Sequence, residues 1–248
     1  MKIVVKIALF CIALIIISCK NQTGYILEDN TIVACIGDSI TYGSKQGYVE
    51  YLQKYADKNK SNKITFLNWG KNSETITGLT ENDHPGPRPF LFDRLDSLLK
   101  QTPKPDVVTF CYGMNCGIYG LPSEELFQRF KNGLTQFLDI MKGHEIDVVL
   151  ITPPPLALKT AIKHGREMIS TGNYGYKNPY ENYNDEVIKE FKKIVLEIEH
   201  PAILTRIDIN TPLIQNIDKA YGKDPIHPNS FGNMVIAETM SKVLLEEE

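Results

Sequence analysis

The sequence has little of what disulfide-stapled, metal-binding or nucleic-acid-binding proteins need. None of its five cysteines stands at zinc-finger or C-x-x-C spacing, and no histidine and acid cluster has the spacing of metal ligands, so we expect neither a metal nor a cofactor. The net charge is −3 and no basic stripe is present, which excludes nucleic acid as a partner, because phosphates must be neutralised by clustered Lys and Arg. Internal repeats and low-complexity tracts are absent as well.

A long transmembrane run is missing too, although the chain begins with an apolar stretch. Lys2 and Lys6 form a short basic start, residues 7–18 carry no charge, and Cys19 follows. This arrangement is typical of a secretory signal, whereas a transmembrane helix needs roughly 20 apolar residues. Residues 16–19, with the letters I-I-S-C, resemble a bacterial lipobox, in which cleavage leaves a lipid-modified cysteine as the first residue.

The chain therefore divides into three predicted parts: a signal peptide over residues 1–18, a lipid-anchored tether over 19–30, and one domain over 31–248. We expect an exported lipoprotein, held to a membrane by a lipid on Cys19, in the periplasm or at the cell surface. The alternative is an ordinary signal peptide followed by an incidental cysteine. The 230 residues after the signal suffice for a single domain with a sizeable core.

Cysteine usage in the domain argues against a disulfide framework. Cys35, Cys111 and Cys116 remain once the signal and Cys19 are set aside, and an odd number leaves at least one thiol free or paired between chains. Cys35 and Cys111 lie in apolar runs, where cysteine usually behaves as a small buried hydrophobe.

Short apolar runs alternate with longer amphipathic segments along the domain. The predicted strands are 31–36, 63–68, 106–112, 147–152 and 202–209, and the predicted helices are 48–58, 90–101, 123–142, 180–199 and 229–246. Continuous apolar runs of this length are typical of parallel strands that are buried on both faces. Their alternation with helices predicts an α/β fold, a three-layer α/β/α sandwich around a five-stranded parallel sheet.

One segment, residues 153–180, interrupts this alternation. It begins with three consecutive prolines after the fourth predicted strand, and about 25 residues pass before the next helix is established. Loops this long inside a compact domain are usually functional or mobile, and ligands of open α/β sheets bind at the carboxyl ends of strands. We therefore expect this segment to border a site.

A serine follows the first predicted strand. Gly37-Asp38-Ser39 stands at the strand end, where a hydroxyl can meet a substrate, but position 41 is threonine, so the G-x-S-x-G elbow of α/β-hydrolases is absent. Taken alone, Ser39 could be a helix N-cap. Asp38 is expected to order the turn around Ser39 and not to act as an acid or base.

Four short blocks of the sequence together resemble those of the SGNH (GDSL-type) hydrolases. They are Gly37-Asp38-Ser39, Asn68-Trp69-Gly70-Lys71-Asn72, Tyr112-Gly113-Met114-Asn115-Cys116 and Asp224-Pro225-Ile226-His227. A lone G-D-S or D-x-x-H is a weak signal. All four occur in family order, however, and the first three each follow a predicted strand, so the resemblance covers nearly the whole chain after the signal.

The resemblance implies a flavodoxin-like fold and a serine esterase. Ser39 would be the nucleophile and His227 its base, since a neutral imidazole titrating near pH 6.5 suits that task. Asp224, three residues before His227, would fix the imidazole tautomer. The oxyanion hole would use the backbone N–H groups of Ser39 and Gly70 and the side-chain amide of Asn115.

Each of these residues also has a plainer interpretation. Gly70 and Asn115 could serve turns, His227 could be a surface histidine, and Asp224 could cap a helix or turn. The other four histidines lie in no motif and are treated as surface or loop residues: His84, His144, His164 and His200.

The sequence departs from the family blocks at two positions. Cys116 stands where the G-x-N-D block usually ends in Asp, and Ser73 stands where many members carry a second glycine. The hydrogen bonding behind Asn115 must therefore differ from the family pattern. Cys116 has no assigned histidine partner and is not expected to be a nucleophile.

Aromatic and polar residues near the blocks favour a carbohydrate ester as the substrate, and the resemblance to a family that includes carbohydrate O-acetylesterases implies acetyl as the acyl group. The predicted contacts are Trp69, Tyr112, Tyr119, Tyr174 and Tyr176. Ordinary packing under loops is the alternative explanation of these rings. The competing functions are a lysophospholipase or short-chain lipid esterase and, from another class, a non-catalytic glycan-binding lipoprotein. The last predicts damage to the triad, and none is present.

Overall fold

The computed structural model describes residues 25–43, 46–58, 63–169 and 172–245. The predicted signal peptide, Cys19 and the first part of the tether lie outside these residues and stay predictions. Within the described ranges, no helix has both the length and the apolar character required to span a bilayer.

Five parallel strands form a single sheet. They are β1 (Ile32–Gly37), β2 (Thr65–Gly70), β3 (Val107–Cys111), β4 (Asp147–Ile151) and β5 (Ile203–Ile207). The spatial order is β2-β1-β3-β4-β5, which is the doubly wound, flavodoxin-like order. Each predicted strand is confirmed, with both ends within two residues of the prediction.

Helices flank the sheet, and the longer ones were predicted. They are α1 (Ser39–Tyr42), α2 (Tyr48–Lys58), α3 (Phe92–Leu99), α4 (Glu124–Gly143), α5 (Leu158–Lys163), α6 (Lys189–Glu197), α7 (Asn210–Gln215), α8 (Ile217–Ala220) and α9 (Ser230–Leu244). A π-helical turn, Tyr183–Ile188, leads into α6, so the predicted helix 180–199 is in fact two consecutive segments. The short helices α1, α5, α7 and α8 were not predicted, and α5 shows that 153–180 is not one continuous loop.

Two pairs of helices form the outer layers. Helices α2 and α9 pack against each other, as do α4 and α6, and members of each pair contact the sheet. The strand β3 is buried along its whole length and β1 along all but its first residue, because both lie in the middle of the sheet. This core holds the strand ends rigidly, which fixes the loops that follow them.

The amino-terminal boundary of the domain differs from the prediction. Leu27, assigned to the tether, is buried in the core, and its N–H donates to the carbonyl oxygen of Leu244 at 2.9 Å. The packed domain therefore extends back at least to residue 27. In the sequence this segment looks like a polar linker, but the buried apolar side chain at position 27 contributes to folding.

Cys35, Cys111 and Cys116 are all free and buried. The expected burial of Cys35 and Cys111 is confirmed. Burial raises the pKa of the Cys116 thiol to about 12, so this thiol stays protonated at neutral pH, and a protonated thiol is a poor nucleophile.

Candidate active site

The sheet brings three of the four sequence blocks to one edge. Gly37 at the end of β1 is in register with Gly70 on β2 and with Cys111 on β3, so the loops that follow these strands leave the sheet side by side. Gly37 and Gly70 must be glycines here. A Cβ on Gly37 would lie 2.1 Å from Thr41 Oγ1, and one on Gly70 would lie 2.0 Å from the backbone nitrogen of Tyr42.

Ser39 is the first residue of the short helix α1, directly after β1. The N-cap is Asp38, whose carboxylate accepts a hydrogen bond from the Ile40 N–H at 2.9 Å. The interpretation of Ser39 as the cap is therefore wrong, and the prediction that Asp38 orders this turn is confirmed. Burial raises the pKa of Asp38 to about 6, against the opposing effects of the Ile40 hydrogen bond and the nearby His227.

The structure brings Ser39, His227 and Asp224 together. Ser39 Oγ lies 2.8 Å from His227 Nε2, and His227 Nδ1 lies 2.8 Å from Asp224 Oδ2. The other carboxylate oxygen of Asp224 accepts from the backbone N–H groups of Ile226 and His227, at 2.8 and 3.2 Å. These donors hold the carboxylate in place, so the imidazole is oriented with one ring nitrogen toward each partner.

The loop that carries His227 is anchored at several points. The Asn229 side chain caps α9 by accepting from the Gly232 N–H at 3.1 Å, and the Asn229 N–H donates to the carbonyl oxygen of Ala220. The carbonyl oxygen of Pro225 accepts from the Ala157 N–H at 2.9 Å. Backbone contacts on both sides of His227 therefore fix the height of the imidazole above Ser39.

Charges in this triad favour an ionised acid and a basic imidazole. Burial raises the pKa of Asp224, but the hydrogen bond and charge of His227 and the backbone donors outweigh it and hold that pKa below its usual range. Burial lowers the pKa of His227, and the hydrogen bond and charge of Asp224 reverse this shift and leave the pKa above its usual range. Both side chains are about half exposed, so solvent moderates these shifts.

A cavity of about 420 Å³ opens beside this triad. Its lining includes Ser39, Asn115 and His227 from the sequence blocks, and its size is in the range of small-molecule sites. A smaller cavity of about 230 Å³ adjoins it and shares Ser39, Asn72 and His227. Among the described residues, no group of three or more His, Cys, Asp or Glu side chains is placed to bind a metal ion.

Asn115 sits in the turn after β3 and is almost fully buried. Its Nδ2 donates to the carbonyl oxygen of Glu74 at 3.3 Å, and its Oδ1 accepts from the Tyr119 hydroxyl at 2.8 Å. The turn itself needs Gly113, whose φ of 147° lies in the region that favours glycine. Asn115 thus reaches the cavity as the family blocks imply.

Gly70 does not reach the cavity in this structure. Its N–H donates to Asn68 Oδ1 at 2.9 Å, and Gly70 is not among the residues that line the cavity. Ser73, three residues further on, does line it and has a φ of 64°, a left-handed conformation that is uncommon for a residue with a side chain. The assignment of Gly70 to the oxyanion hole is therefore corrected, because its donor is already used.

The predicted substrate contacts fall into two groups. Trp69 and Tyr112 are buried in the core, 6% and 1% exposed, so the prediction that they contact a substrate is wrong. The Tyr112 hydroxyl donates to the Glu74 carboxylate, and the Trp69 carbonyl oxygen accepts from Arg94. Both residues belong to the packing beneath the site.

The three other tyrosines lie in or near the site. Tyr119 and Tyr176 line the cavity, and Tyr176 contacts the His84 ring edge-on with ring centres 6.2 Å apart. Tyr174 is exposed and packs edge-on against Tyr180, outside the cavity lining. Of the five predicted contacts, Tyr176 is thus the one that both lines the cavity and is only partly buried.

Sequence reasoning missed three further cavity-lining residues, His84, Pro85 and Arg88. The Arg88 guanidinium forms two 2.5 Å hydrogen bonds with the buried Glu81 carboxylate and donates to the carbonyl oxygen of Ser73 at 3.1 Å. A buried charge must be paired, and this pair fixes the Ser73 turn. His84 lies in a loop, as expected, but it is partly buried and lines the cavity. No local sequence pattern marks these residues, because the groups they contact come close to them only when the loops fold.

A second buried ion pair lies beneath the turn. Glu74 is fully buried and accepts two 2.6 Å hydrogen bonds from Arg94 in addition to that from Tyr112. The carbonyl oxygen of Glu74 in turn accepts from Asn115. Glu74 therefore links the loop after β2 to the loop after β3, directly below the cavity.

Several solved structures share this fold. An acetylxylan esterase from Geobacillus stearothermophilus, Axe2, is 18% identical in one catalytic-mutant form, with a TM-score of 0.64 over 90% of this chain and 98% of that one. G-D-S-L family proteins from Desulfitobacterium hafniense DCB-2 and Veillonella parvula DSM 2008 are 21% and 15% identical, with TM-scores of 0.58 and 0.60. They cover 87% and 88% of this chain and 100% of their own. No curated protein matches the sequence significantly.

The sequence itself matches a family model. The match to the GDSL-like Lipase/Acylhydrolase family spans residues 35–235, from within β1 to within α9, and so contains all four blocks. Because this span covers most of the chain, the protein belongs to the GDSL-like lipase/acylhydrolase family and is a carboxylic ester hydrolase.

Proposed function

We propose that this protein is a serine esterase that removes acetyl groups from carbohydrates through an acyl-enzyme intermediate. The observation that carries the proposal is the chain of two 2.8 Å contacts from Ser39 Oγ through His227 to Asp224, at the wall of a 420 Å³ cavity. A hydroxyl, an imidazole and a carboxylate in this order can perform nucleophilic acyl transfer.

In the first half-reaction, His227 Nε2 accepts the proton of Ser39 as Oγ attacks the carbonyl carbon of the ester. The carbonyl electron pair moves onto oxygen, and Asp224 stabilises the imidazolium. The imidazolium then gives its proton to the alcohol oxygen as the bond between that oxygen and the acyl carbon breaks. In the second half-reaction His227 takes a proton from a water as the water attacks the acyl carbon, and the imidazolium then returns that proton to Ser39 Oγ as the bond between Oγ and the acyl carbon breaks and the acid leaves.

Three donors would stabilise the oxyanion in both half-reactions. The Ser39 N–H is at the start of α1 and the Asn115 amide lines the cavity. We assign the third position to the Ser73 N–H in place of Gly70, because Ser73 lines the cavity and the Gly70 N–H is occupied by Asn68. Donors aimed at the developing negative charge are usually the largest electrostatic contribution in such sites.

The character of the cavity supports a carbohydrate ester. Polar groups of Asn72, Ser73 and Arg88 lie in its wall, and the ring of Tyr176 stands beside His84. An acetyl group fills little of 420 Å³, so the remaining space would hold the alcohol portion of the ester. The fold neighbour Axe2, named as an acetylxylan esterase, supports the same substrate class.

The direct experiment measures acetate released from a panel of acetylated polysaccharides and oligosaccharides. We expect Ser39-dependent release from at least one of them by the wild-type protein. Release from none, with activity on simple esters retained, would contradict the carbohydrate assignment and favour a lipid ester.

Acyl-chain preference provides an independent measurement. With p-nitrophenyl esters from acetyl to dodecanoyl, we expect kcat/KM to fall steeply beyond about four carbons, because a cavity of about 420 Å³ that also holds the alcohol portion of the ester leaves little room for a long alkyl chain. All esters of the series are measured with one enzyme preparation, so that their kcat/KM values can be compared directly. A maximum at eight to twelve carbons would instead indicate a lysophospholipase or lipid esterase.

The amino terminus supports a proposal on location. Residues 16–19 resemble a lipobox after an uncharged stretch, so we propose export and lipid attachment at Cys19. Metabolic labelling with palmitate in a bacterial host is expected to mark the wild-type protein and not Cys19→Ala. Equal labelling of both would contradict attachment at this residue.

A further inference from the structure

The Asn115 amide is fixed at both ends by groups outside the four blocks. Its Nδ2 donates to the Glu74 carbonyl oxygen, and its Oδ1 accepts from the Tyr119 hydroxyl at 2.8 Å. The two ends of a carboxamide have nearly the same shape, so hydrogen bonds decide which end faces a given direction. A flipped amide would place Oδ1 against the Glu74 carbonyl oxygen and its NH₂ against the Tyr119 hydroxyl.

Tyr119 is itself held in one position. It is 1% exposed, its ring stacks on Tyr183 with ring centres 5.3 Å apart, and the Arg88 guanidinium lies 5.7 Å above the ring. Its φ of 57° is left-handed, a conformation that persists in a residue with a side chain only where the surroundings hold it. The ring is therefore rigid and holds its hydroxyl next to Asn115.

Tyr183 supports the same turn from the other side. Its hydroxyl donates to the Met114 carbonyl oxygen at 2.9 Å and accepts from the Gly117 N–H at 3.2 Å. These two residues flank the segment that contains Asn115 and Cys116. The two stacked tyrosines thus brace the turn in which cysteine replaces the acid usual at the end of this block.

We propose that Tyr119 is a positioning residue, whose hydroxyl keeps Nδ2 of Asn115 directed at the oxygen of the tetrahedral intermediate. The inference rests on the proposed function, since it assigns Asn115 to the oxyanion hole. It also replaces the predicted role of Tyr119 in substrate contact, because the hydroxyl is engaged by Asn115. With Oδ1 held by Tyr119 and one Nδ2 hydrogen held by Glu74, the second Nδ2 hydrogen is left for the oxyanion.

The test is Tyr119→Phe, assayed with p-nitrophenyl acetate. We expect kcat to fall by about 10- to 100-fold with KM within twofold of wild type, because phenylalanine keeps the stacked ring and removes only the hydroxyl. The loss should be smaller than that of Asn115→Ala, since removal of an oxyanion donor typically costs about 10²–10³ in kcat.

Tyr221→Phe is the matched control. Tyr221 is equally buried, and within the described part of the chain its hydroxyl has no hydrogen-bond partner. This substitution removes a buried hydroxyl from the same residue type without breaking a bond, so kcat and KM are expected to stay within twofold of wild type.

A double-mutant cycle with Asn115→Ala separates positioning from a general structural effect. If Tyr119 acts through Asn115, adding Tyr119→Phe to Asn115→Ala changes kcat by less than about twofold. Multiplicative losses, or an unchanged kcat in Tyr119→Phe alone, would overturn the inference while leaving the esterase assignment intact. A wild-type protein without Ser39-dependent hydrolysis would instead overturn the proposed function, and the inference with it.

Discussion

Ser39→Ala is expected to lower kcat for p-nitrophenyl acetate by about 10⁶-fold, because the variant has no atom that can form the acyl-enzyme. Ser39 Oγ lies 2.8 Å from His227 Nε2 at the cavity wall, in the position from which it can attack a bound carbonyl carbon. Asn115 and the cavity remain in the variant, so a residual acceleration of about 10³-fold over water is also expected.

Ser97→Ala is the control for this substitution. Ser97 lies on the exposed side of α3, outside the lining of both cavities, and its replacement should leave kcat and KM unchanged. The measurement is the initial rate with both variants at equal concentration, with circular dichroism to compare their folding. Wild-type rates in Ser39→Ala would exclude the acyl-enzyme mechanism and place hydrolysis elsewhere.

The fold was predictable because its signals are local. Each strand is a short continuous apolar run, and such runs are read correctly without knowledge of the partner strand. The short helices were missed for the opposite reason: α1 has four residues and α5 has six, too few for a helical period to stand out. The π-helical turn before α6 was missed because its residues carry the same apolar spacing as an ordinary helix end.

The residues of the proposed triad could be identified for a different reason. Each block is a weak signal alone, but four blocks that resemble those of one family occur in family order, and the first three follow predicted strands. The contact between Ser39 and His227 spans 188 positions: the parallel sheet places Ser39 at the edge where β1 ends, and the loop before α9 places His227 at the same edge. Several blocks at one edge of the sheet are therefore more informative in this fold class than any one block alone.

The third donor proposed for the oxyanion hole and the substrate contacts were harder to predict, because they depend on hydrogen bonds between distant segments. The resemblance of its block implies Gly70 as a donor, and only the hydrogen bond from the Gly70 N–H to Asn68 shows that this donor is occupied. Trp69 and Tyr112 were chosen as aromatic residues in the blocks. Both side chains are buried in the core, and burial cannot be read from residue type alone.

The buried ion pairs are a second case in which burial could not be predicted from the sequence. Glu81 and Arg88 are charged residues in a loop rich in glycine and proline, a pattern typical of solvent exposure. Folding nevertheless buries both, with two hydrogen bonds joining them, and directs the guanidinium at the Ser73 turn. Charge that is paired and buried beside a cavity commonly orients site residues, and here it shapes the wall that faces the substrate.

Asp224→Asn tests the remaining member of the triad. The expected loss in kcat is about 10⁴-fold, because an asparagine amide can donate to Nδ1 and so favour the tautomer that leaves Nε2 protonated. Such an imidazole cannot accept the proton of Ser39. Asp96→Asn is the control, since Asp96 forms an exposed ion pair with Lys100, and exposed pairs contribute little.

The pH profile of the same pair of proteins distinguishes loss of the charge from loss of folding. Catalysis requires neutral His227, so kcat/KM rises as the pH passes through the pKa of this imidazole. Asp224 raises that pKa above its ordinary value of 6.5, and we expect the wild-type midpoint above pH 6.5. Without the negative charge the midpoint should move to lower pH in Asp224→Asn. A midpoint that stays in place would mean that Asp224 does not stabilise the imidazolium, and that the carboxylate merely orders the loop before α9.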